Sequence, residues 1–88
     1  MPKSLRTPRQ LQLQSLLADL RKSKNLTQAE VANRLKRPQS FVAKYEGGER
    51  RLDVVEFIDV AEALGVDPCD LLAEIVPKRG PDGSRPSD

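Results

Sequence analysis

The chain has 88 residues, a net charge of +2, one cysteine and no histidine. This length allows one domain, and a single cysteine excludes a disulfide within the chain and argues against a zinc site. Without histidine the commonest general base is missing, so we expect neither an enzyme nor a bound metal or other cofactor. No apolar run is long enough for a signal peptide or a membrane span, and we therefore expect a cytoplasmic protein.

The charges are sorted along the chain although their sum is small. Residues 1–52 contain twelve Lys or Arg and four Asp or Glu, a net charge of +8. Residues 53–77 contain seven acids and no base, a net charge of −7. This sorting predicts one basic face that meets a polyanion and an acidic surface behind it. Ordinary solvated helix faces would account for each charge singly but account poorly for the sorting.

The first predicted helix begins at Thr7-Pro8 and runs to about Ser23. Threonine is a preferred N-cap, and proline suits the first helical position because its missing N–H leaves no hydrogen bond unmade there. Asn25 follows the helix and favours a left-handed helix end. The inward stripe at helical spacing consists of Leu13, Leu16, Leu17 and Leu20.

Two short predicted helices, joined by a tight turn at Lys36-Arg37, occupy the stretch from Leu26 to Glu46. Thr27 and Glu30 have the spacing of a capping box at the start of the first of them. Pro38 fixes φ at a value suited to the start of the second. The inward side chains at helical spacing are Val31, Ala32 and Leu35 on one helix and Val42 and Tyr45 on the other.

The outward face of the third predicted helix carries side chains that can read a nucleic acid. Glutamine pairs with the N6/N7 edge of adenine, lysine donates to O6/N7 of guanine, and serine reaches a base or a phosphate. An apolar side chain can contact a thymine methyl group. Residue types alone leave open the alternative of an ordinary solvated helix face. The predicted base contacts are Gln39, Ser40, Phe41 and Lys44.

The same pattern of helix starts recurs twice after the third helix. Gly47-Gly48 ends that helix and opens a loop that contains two arginines. Asp53 and Glu56 then have the spacing of a capping box for the fourth helix. A fifth helix begins at Asp67-Pro68 and runs to about Val76. The predicted apolar face of the fourth helix consists of Val54, Phe57, Ile58, Ala61 and Leu64.

Several stretches together resemble the XRE family of helix-turn-helix proteins, which includes Cro-like and phage-repressor-like regulators. These stretches are Leu26–Glu30, Tyr45–Arg51, Ala63–Val66 and Asp70–Leu72, and the resemblance extends over residues 13–72. It implies an all-α, five-helix, lambda-repressor-like DNA-binding domain with the helix-turn-helix at the second and third helices. We assign residues 7–76 to this domain.

The resemblance implies a sequence-specific transcriptional regulator of prokaryotic or phage type, a repressor that reads the major groove of double-stranded DNA with its third helix. The alternative is an antitoxin or a protein-interaction module built on the same scaffold. No small-molecule ligand is evident. The chain departs from the family at Lys36, where glycine is usual, so that this lysine has to adopt a positive φ at a cost of roughly 1 kcal/mol. Leu52 replaces a frequent proline.

Two further sets of site residues are expected. Family resemblance places Arg21 and Glu46 together as a partly buried ion pair. Gln28 begins the second helix, whose positive dipole end favours a phosphate. The resemblance implies a glutamine at this position that also braces Gln39. An exposed helix residue is the alternative for Gln28, and a solvated loop is the alternative for the two loop arginines. The expected phosphate contacts are Gln28, Lys36, Arg37, Arg50 and Arg51.

We also expect a symmetric homodimer on a palindromic operator, because one helix-turn-helix reads only a short half-site. The fifth helix carries more apolar residues than one packing face uses, which predicts an interface formed by Leu72, Ile75 and Val76. In the alternative, Ile75 and Val76 fold back onto the first helix and complete a monomeric core.

The two ends of the chain and the cysteine carry weaker signals. Residues 1–6 are short and basic, and we expect them either to fray or to form a flexible arm that touches DNA. Residues 77–88 are rich in proline and glycine, which predicts a disordered tail. Cys69 lies in the first turn of the fifth helix, but a plain small residue is a simpler interpretation than a redox sensor.

Overall fold

The computed structural model describes residues 7–76, which form five helices and, within that range, no strand. The predicted all-α, five-helix class is therefore confirmed, whereas the predictions for residues 1–6 and 77–88 lie outside the described residues. The second helix packs on the third and fourth, the first packs on the third and fifth, and the fourth contacts the fifth. The helices are α1 (Pro8–Ser23), α2 (Gln28–Leu35), α3 (Gln39–Gly47), α4 (Val54–Leu64) and α5 (Pro68–Ile75).

Four of the helices begin with a side-chain cap at the predicted residue. Thr7 accepts a hydrogen bond from a backbone N–H of the first turn of α1, and Asp67 does the same for α5. Thr27 caps α2 and Asp53 caps α4, each within a complete capping box. At the start of α3, Pro38 is the N-cap, and it makes no side-chain cap hydrogen bond.

Left-handed residues end α2, α3 and α4 and follow α1. Asn25 has a φ of 58° and Lys36 a φ of 59°, as the sequence predicts for both. Gly48 and Gly65 adopt φ values of 83° and 77°. A non-glycine residue in this conformation costs roughly 1 kcal/mol or more, because its Cβ approaches the following carbonyl oxygen. The backbone is therefore strained at Asn25 and at Lys36. The strain is larger at Lys36, because the short polar side chain of asparagine tolerates the left-handed conformation better.

The core joins all five helices and is largely the one that helical spacing predicts. Val60, which the predicted face of α4 omits, is fully buried, whereas Val54, which that face includes, is 72% exposed. Val54 begins α4 one turn before Phe57, at an open groove that no other described element covers. The largest of the fully buried side chains are Leu17, Val31, Val42, Tyr45, Val60 and Leu64.

The packing of α1 on the end of α3 leaves little room for a side chain at one glycine. A Cβ at Gly48 would lie 3.1 Å from both the amide nitrogen and the amide oxygen of Gln14. That amide oxygen is buried and has no hydrogen-bond partner among the described residues. A Cβ at the preceding Gly47 would meet nothing within 4 Å.

We expect Gly48→Ala to lower the free energy of unfolding by about 1–2 kcal/mol, because alanine is strained at positive φ and crowds the Gln14 amide. Gly47→Ala is the matched control and should leave stability unchanged or raise it by up to about 1 kcal/mol, since Gly47 is helical. Urea unfolding of the two variants measures both effects. Equal stabilities would contradict the assignment of strain to Gly48.

Candidate nucleic-acid interface

The polar face of α3 is open to solvent over its whole length. The exposed side chains are those predicted to face outward, Gln39, Ser40, Ala43 and Lys44. Val42 and Tyr45 are buried on the opposite side and attach the helix to the core. The structure therefore presents a rigid helix face that carries two amide- or amine-bearing side chains and one hydroxyl.

Phe41 does not belong to this exposed face, which corrects its prediction as a base contact. Its side chain is buried, with only 7% exposure, and its ring packs edge to face on Tyr45 with centroids 5.5 Å apart. Phe41 and Tyr45 are four residues apart, so both lie on the inward side of α3. The sequence prediction was wrong here because a large apolar side chain gains more from burial than from exposure to solvent.

A chain of polar contacts connects α1 to the first residue of α3. The guanidinium of Arg21 donates two hydrogen bonds to Glu46, of 2.8 Å and 3.1 Å. Glu46 Oε1 also accepts from Nε2 of Gln28 at 3.0 Å. Nε2 of Gln39 lies 3.5 Å from Oε1 of Gln28. The structure thus brings together the ion pair and the glutamine pair that the family resemblance implies.

The ion pair determines how the glutamine amides are turned. An ionised carboxylate only accepts hydrogen bonds, so Gln28 has to point its NH₂ group at Glu46. Its amide oxygen is then left to accept from Gln39. One N–H and the amide oxygen of Gln39 remain free, which is the set that pairs with adenine.

The charges of this cluster lie largely out of water. The side chains of Arg21 and Glu46 are only 12% and 7% exposed. The hydrogen bonds that Arg21 donates to Glu46 raise the pKa of Arg21 above its usual value, although desolvation acts in the opposite direction. Burial raises the pKa of the adjacent Tyr45 well above its usual value, so its phenol stays protonated in the folded protein.

A second cluster, which the sequence prediction missed, forms around Glu56 of α4. Arg50 donates to both carboxylate oxygens, at 3.3 Å and 2.6 Å, and Arg37 donates to one of them at 3.3 Å. The guanidinium carbons of Arg37 and Arg50 lie 4.3 Å and 4.9 Å from the centre of the Phe41 ring, within the range of cation–π attraction. We call Arg37, Phe41, Arg50 and Glu56 the Glu56 cluster.

The remaining predicted cations occupy different places. Lys36 is exposed in the turn between α2 and α3. Arg51 is also exposed, but its Nε lies 3.3 Å from Oε1 of Gln10, so it extends toward α1. Two of the five predicted phosphate contacts therefore belong to the Glu56 cluster, and one, Gln28, belongs to the Glu46 network.

The predicted interface residues of α5 are divided between the core and the surface. Ile75 is buried at 7% exposure, which favours the fold-back alternative for this residue, whereas Leu72 and Val76 are 47% and 50% exposed. Leu72 and Val76 line an open cavity of about 360 Å³ together with Val54 of α4. We call this surface, formed by Val54, Leu72 and Val76, the apolar groove.

Other kinds of site find no support among residues 7–76. This part of the chain contains no group of three or more His, Cys, Asp or Glu that could hold a metal ion. It also contains no helix that is both long and apolar enough to cross a membrane. Cys69 is exposed with a free thiol.

We expect Arg21→Ala to lower the free energy of unfolding by about 3–5 kcal/mol, because it leaves the buried Glu46 carboxylate without its partner. Glu46→Gln should have a similar effect. Lys22→Ala is the matched control, since this neighbouring cation is exposed and its loss should change stability by less than about 0.5 kcal/mol. Chemical denaturation provides the measurement, and similar small losses for all three variants would show that the ion pair contributes little.

Comparison with known proteins gives a consistent result. The model of a family described as a helix-turn-helix domain matches residues 12–74. An XRE-family like protein from Pseudomonas syringae pv. tomato str. DC3000 is 49% identical with a TM-score of 0.74, and the match covers 76% of this chain and 82% of that chain. The restriction-modification controller protein C.AhdI from Aeromonas hydrophila is 29% identical with a TM-score of 0.66, over 70% of this chain and 94% of that chain. No curated protein matches the chain.

Proposed function

The chain belongs to the XRE family of helix-turn-helix proteins, and we propose that this DNA-binding transcriptional regulator recognises a specific operator by placing α3 in the major groove. It acts as a repressor by occupying that operator. The observation that carries the proposal is the exposed polar face of α3, whose first residue, Gln39, is oriented by contacts that lead back to the Arg21–Glu46 ion pair.

Each exposed side chain of α3 has a role that suits its chemistry. Gln39 pairs with adenine through its free N–H and amide oxygen, and Lys44 donates to guanine. Ser40 reaches a base or a phosphate. Phe41 has no direct role, because it is buried and supports the helix from inside.

The phosphate contacts lie beside this face. The backbone N–H groups at the start of α2, with Gln28, suit an anion because the positive end of the helix dipole lies there. Lys36 and Arg51 add exposed cations on either side of α3 along the chain. Arg37 and Arg50 contribute less than isolated arginines would, because both are paired with Glu56.

The working unit is a symmetric homodimer that binds a palindromic operator, with half-sites about 34 Å apart. The apolar groove supports this proposal, because a two-fold partner would cover Leu72, Val76 and Val54, which a monomer leaves in water. Ile75 belongs to the core of one subunit rather than to the interface. Seven acids and no base lie in residues 53–77, so the dimer is expected to be stronger when salt screens their repulsion.

Selection of bound sites from a random duplex pool tests the function directly. We expect one enriched palindrome, bound with an affinity that falls steeply with salt. Gln39→Ala and Lys44→Ala should each cost about 1–3 kcal/mol at that site and relax the preference at one base pair. Lys24→Ala, which removes an exposed lysine from the end of α1, should leave the preference unchanged.

Two outcomes would contradict this function. If Gln39→Ala and Lys44→Ala weaken binding to every sequence equally, these side chains contact phosphate rather than bases. If the wild-type protein binds no duplex even at low salt, DNA recognition itself is wrong, and the antitoxin or protein-interaction alternative takes its place.

The dimer is tested by sedimentation at tens of micromolar. We expect the wild-type protein to dimerise and Leu72→Asp to be monomeric, because a carboxylate in the apolar groove would be desolvated on association. Leu11→Asp is the matched control, since Leu11 is a leucine of similar exposure, 42%, that lies outside the groove. A monomeric wild-type protein that binds a palindrome one subunit at a time, without cooperativity, would rule the dimer out.

A further inference from the structure

The carboxylate of Glu56 holds three groups at once. Its Oε1 accepts from the backbone N–H of Asp53 at 3.0 Å and thereby completes the capping box of α4. The same carboxylate accepts two hydrogen bonds from Arg50 and one from Arg37. Its side chain is only 12% exposed, whereas those of Arg37 and Arg50 are 42% and 37% exposed. The cations therefore lie at the surface and their counter-charge lies beneath them.

Both arginines lie at the edge of the base-reading face. Arg37 precedes α3, Arg50 follows it, and the two meet over the ring of Phe41. Lys44 is three residues after Phe41 and so is its neighbour on the helix surface. Cations at such a position would otherwise bind DNA phosphates, and phosphate contacts carry no sequence information directly.

The contacts of Arg50 disfavour its binding to a DNA phosphate. Its Nη1 and Nη2 both donate to Glu56, and Nη1 also donates to the carbonyl oxygen of Arg51 at 3.0 Å. This contact occupies the end-on pair of N–H groups of the guanidinium, so Arg50 keeps only its Nε–H and one N–H of Nη2 for a phosphate. Arg37 donates to Glu56 through Nη2 alone, and so keeps part of its capacity.

We infer that Glu56 lowers the sequence-independent part of the affinity for DNA by occupying Arg37 and Arg50. Phosphate contacts are common to all duplexes, so this pairing weakens binding to operator and non-operator DNA alike and leaves the difference between the two affinities unchanged. Base contacts by α3 are untouched by the pairing, whereas contacts common to all duplexes are reduced. This inference rests on the proposed function, because it presupposes that the face of α3 binds DNA.

Glu56→Gln separates the two roles of this side chain. Glutamine is an accepted partner in a capping box, so the start of α4 should persist while the negative charge is lost. We expect tighter binding to a duplex without the operator, with the slope of log affinity against log salt steeper by about 1 for each arginine released. Affinity for the operator should rise by a similar factor, because the base contacts of α3 do not change and the released arginines contact phosphates on either duplex.

Two controls exclude a simple effect of net charge. Glu62→Gln makes the same chemical change on the same helix, and Glu62 is exposed and makes no ion pair within residues 7–76. It should leave the salt slope and the affinity for both duplexes unchanged. In a background with Arg37→Gln and Arg50→Gln, Glu56→Gln should lose its effect on the salt slope, because no guanidinium remains to be released.

The same measurements can overturn the inference. Unchanged binding of Glu56→Gln to non-operator DNA would show that the pairing does not limit the arginines, and weaker binding would show that Glu56 presents them to DNA. Glu56→Ala, in which the Asp53 side-chain cap remains possible, provides a second variant. Failure of both variants to fold would assign Glu56 to stability and also count against the inference. If the wild-type protein binds its operator and Glu56→Gln behaves like Glu62→Gln, this inference alone is wrong. If the wild-type protein binds no duplex, the proposed function is wrong.

Discussion

The bidentate contact between Arg21 and Glu46 is the interaction on which the geometry of the proposed reading helix depends. It joins the end of α1 to the end of α3, and Arg21 Nη1 also donates to the carbonyl oxygen of Leu26 at 2.8 Å, just before α2. Three helices are thus held by one guanidinium. Because Glu46 also accepts from Gln28, the orientation of an exposed amide on α3 follows from a charge pair that is almost buried. A pair of apolar residues could supply the packing, but it could not turn the amides.

The exposed face of α3 is bounded on each side by a carboxylate with a different task. Glu46 lies seven residues after Gln39 and therefore on nearly the same stripe of the helix. Glu56 reaches the other side from α4, through the two arginines that cover Phe41. Glu46 orients the amides of Gln28 and Gln39, and Glu56 neutralises Arg37 and Arg50. The first half of the chain is strongly basic, but part of its positive charge is neutralised where Arg21, Arg37 and Arg50 pair with these two carboxylates.

The parts of this structure that the sequence predicts well are those that depend on neighbouring residues. Capping boxes at Thr27 and Asp53 need only the identity of a residue three positions on, and both are present. The left-handed conformations of Asn25 and Lys36 follow in the same way from the residue types at a helix end and at a family turn. The ion pair between α1 and α3 joins residues 25 positions apart, so it was accessible only through family resemblance.

The sequence predictions fail where the burial or pairing of a side chain depends on elements that are distant in the sequence. Periodicity places Val54 on the apolar face of α4, but whether anything covers its first turn depends on how far α1 and α5 extend over it. The Glu56 cluster could not be anticipated, because the capping box accounts fully for Glu56 at the sequence level. Its contacts to Arg37 and Arg50 exist only because the loop after α3 brings α4 back beside the helix-turn-helix turn.

The left-handed lysine in that turn has an implication for how such a domain evolves. Glycine at position 36 would remove roughly 1 kcal/mol of backbone strain, yet it would also remove an exposed positive charge between α2 and α3. The chain carries a charged residue at this strained position, which fits the phosphate contact proposed for Lys36. A screen for thermostability that ignores ligand binding would therefore favour glycine at position 36. The selected proteins would gain folding free energy but lose part of their electrostatic attraction to a polyanion.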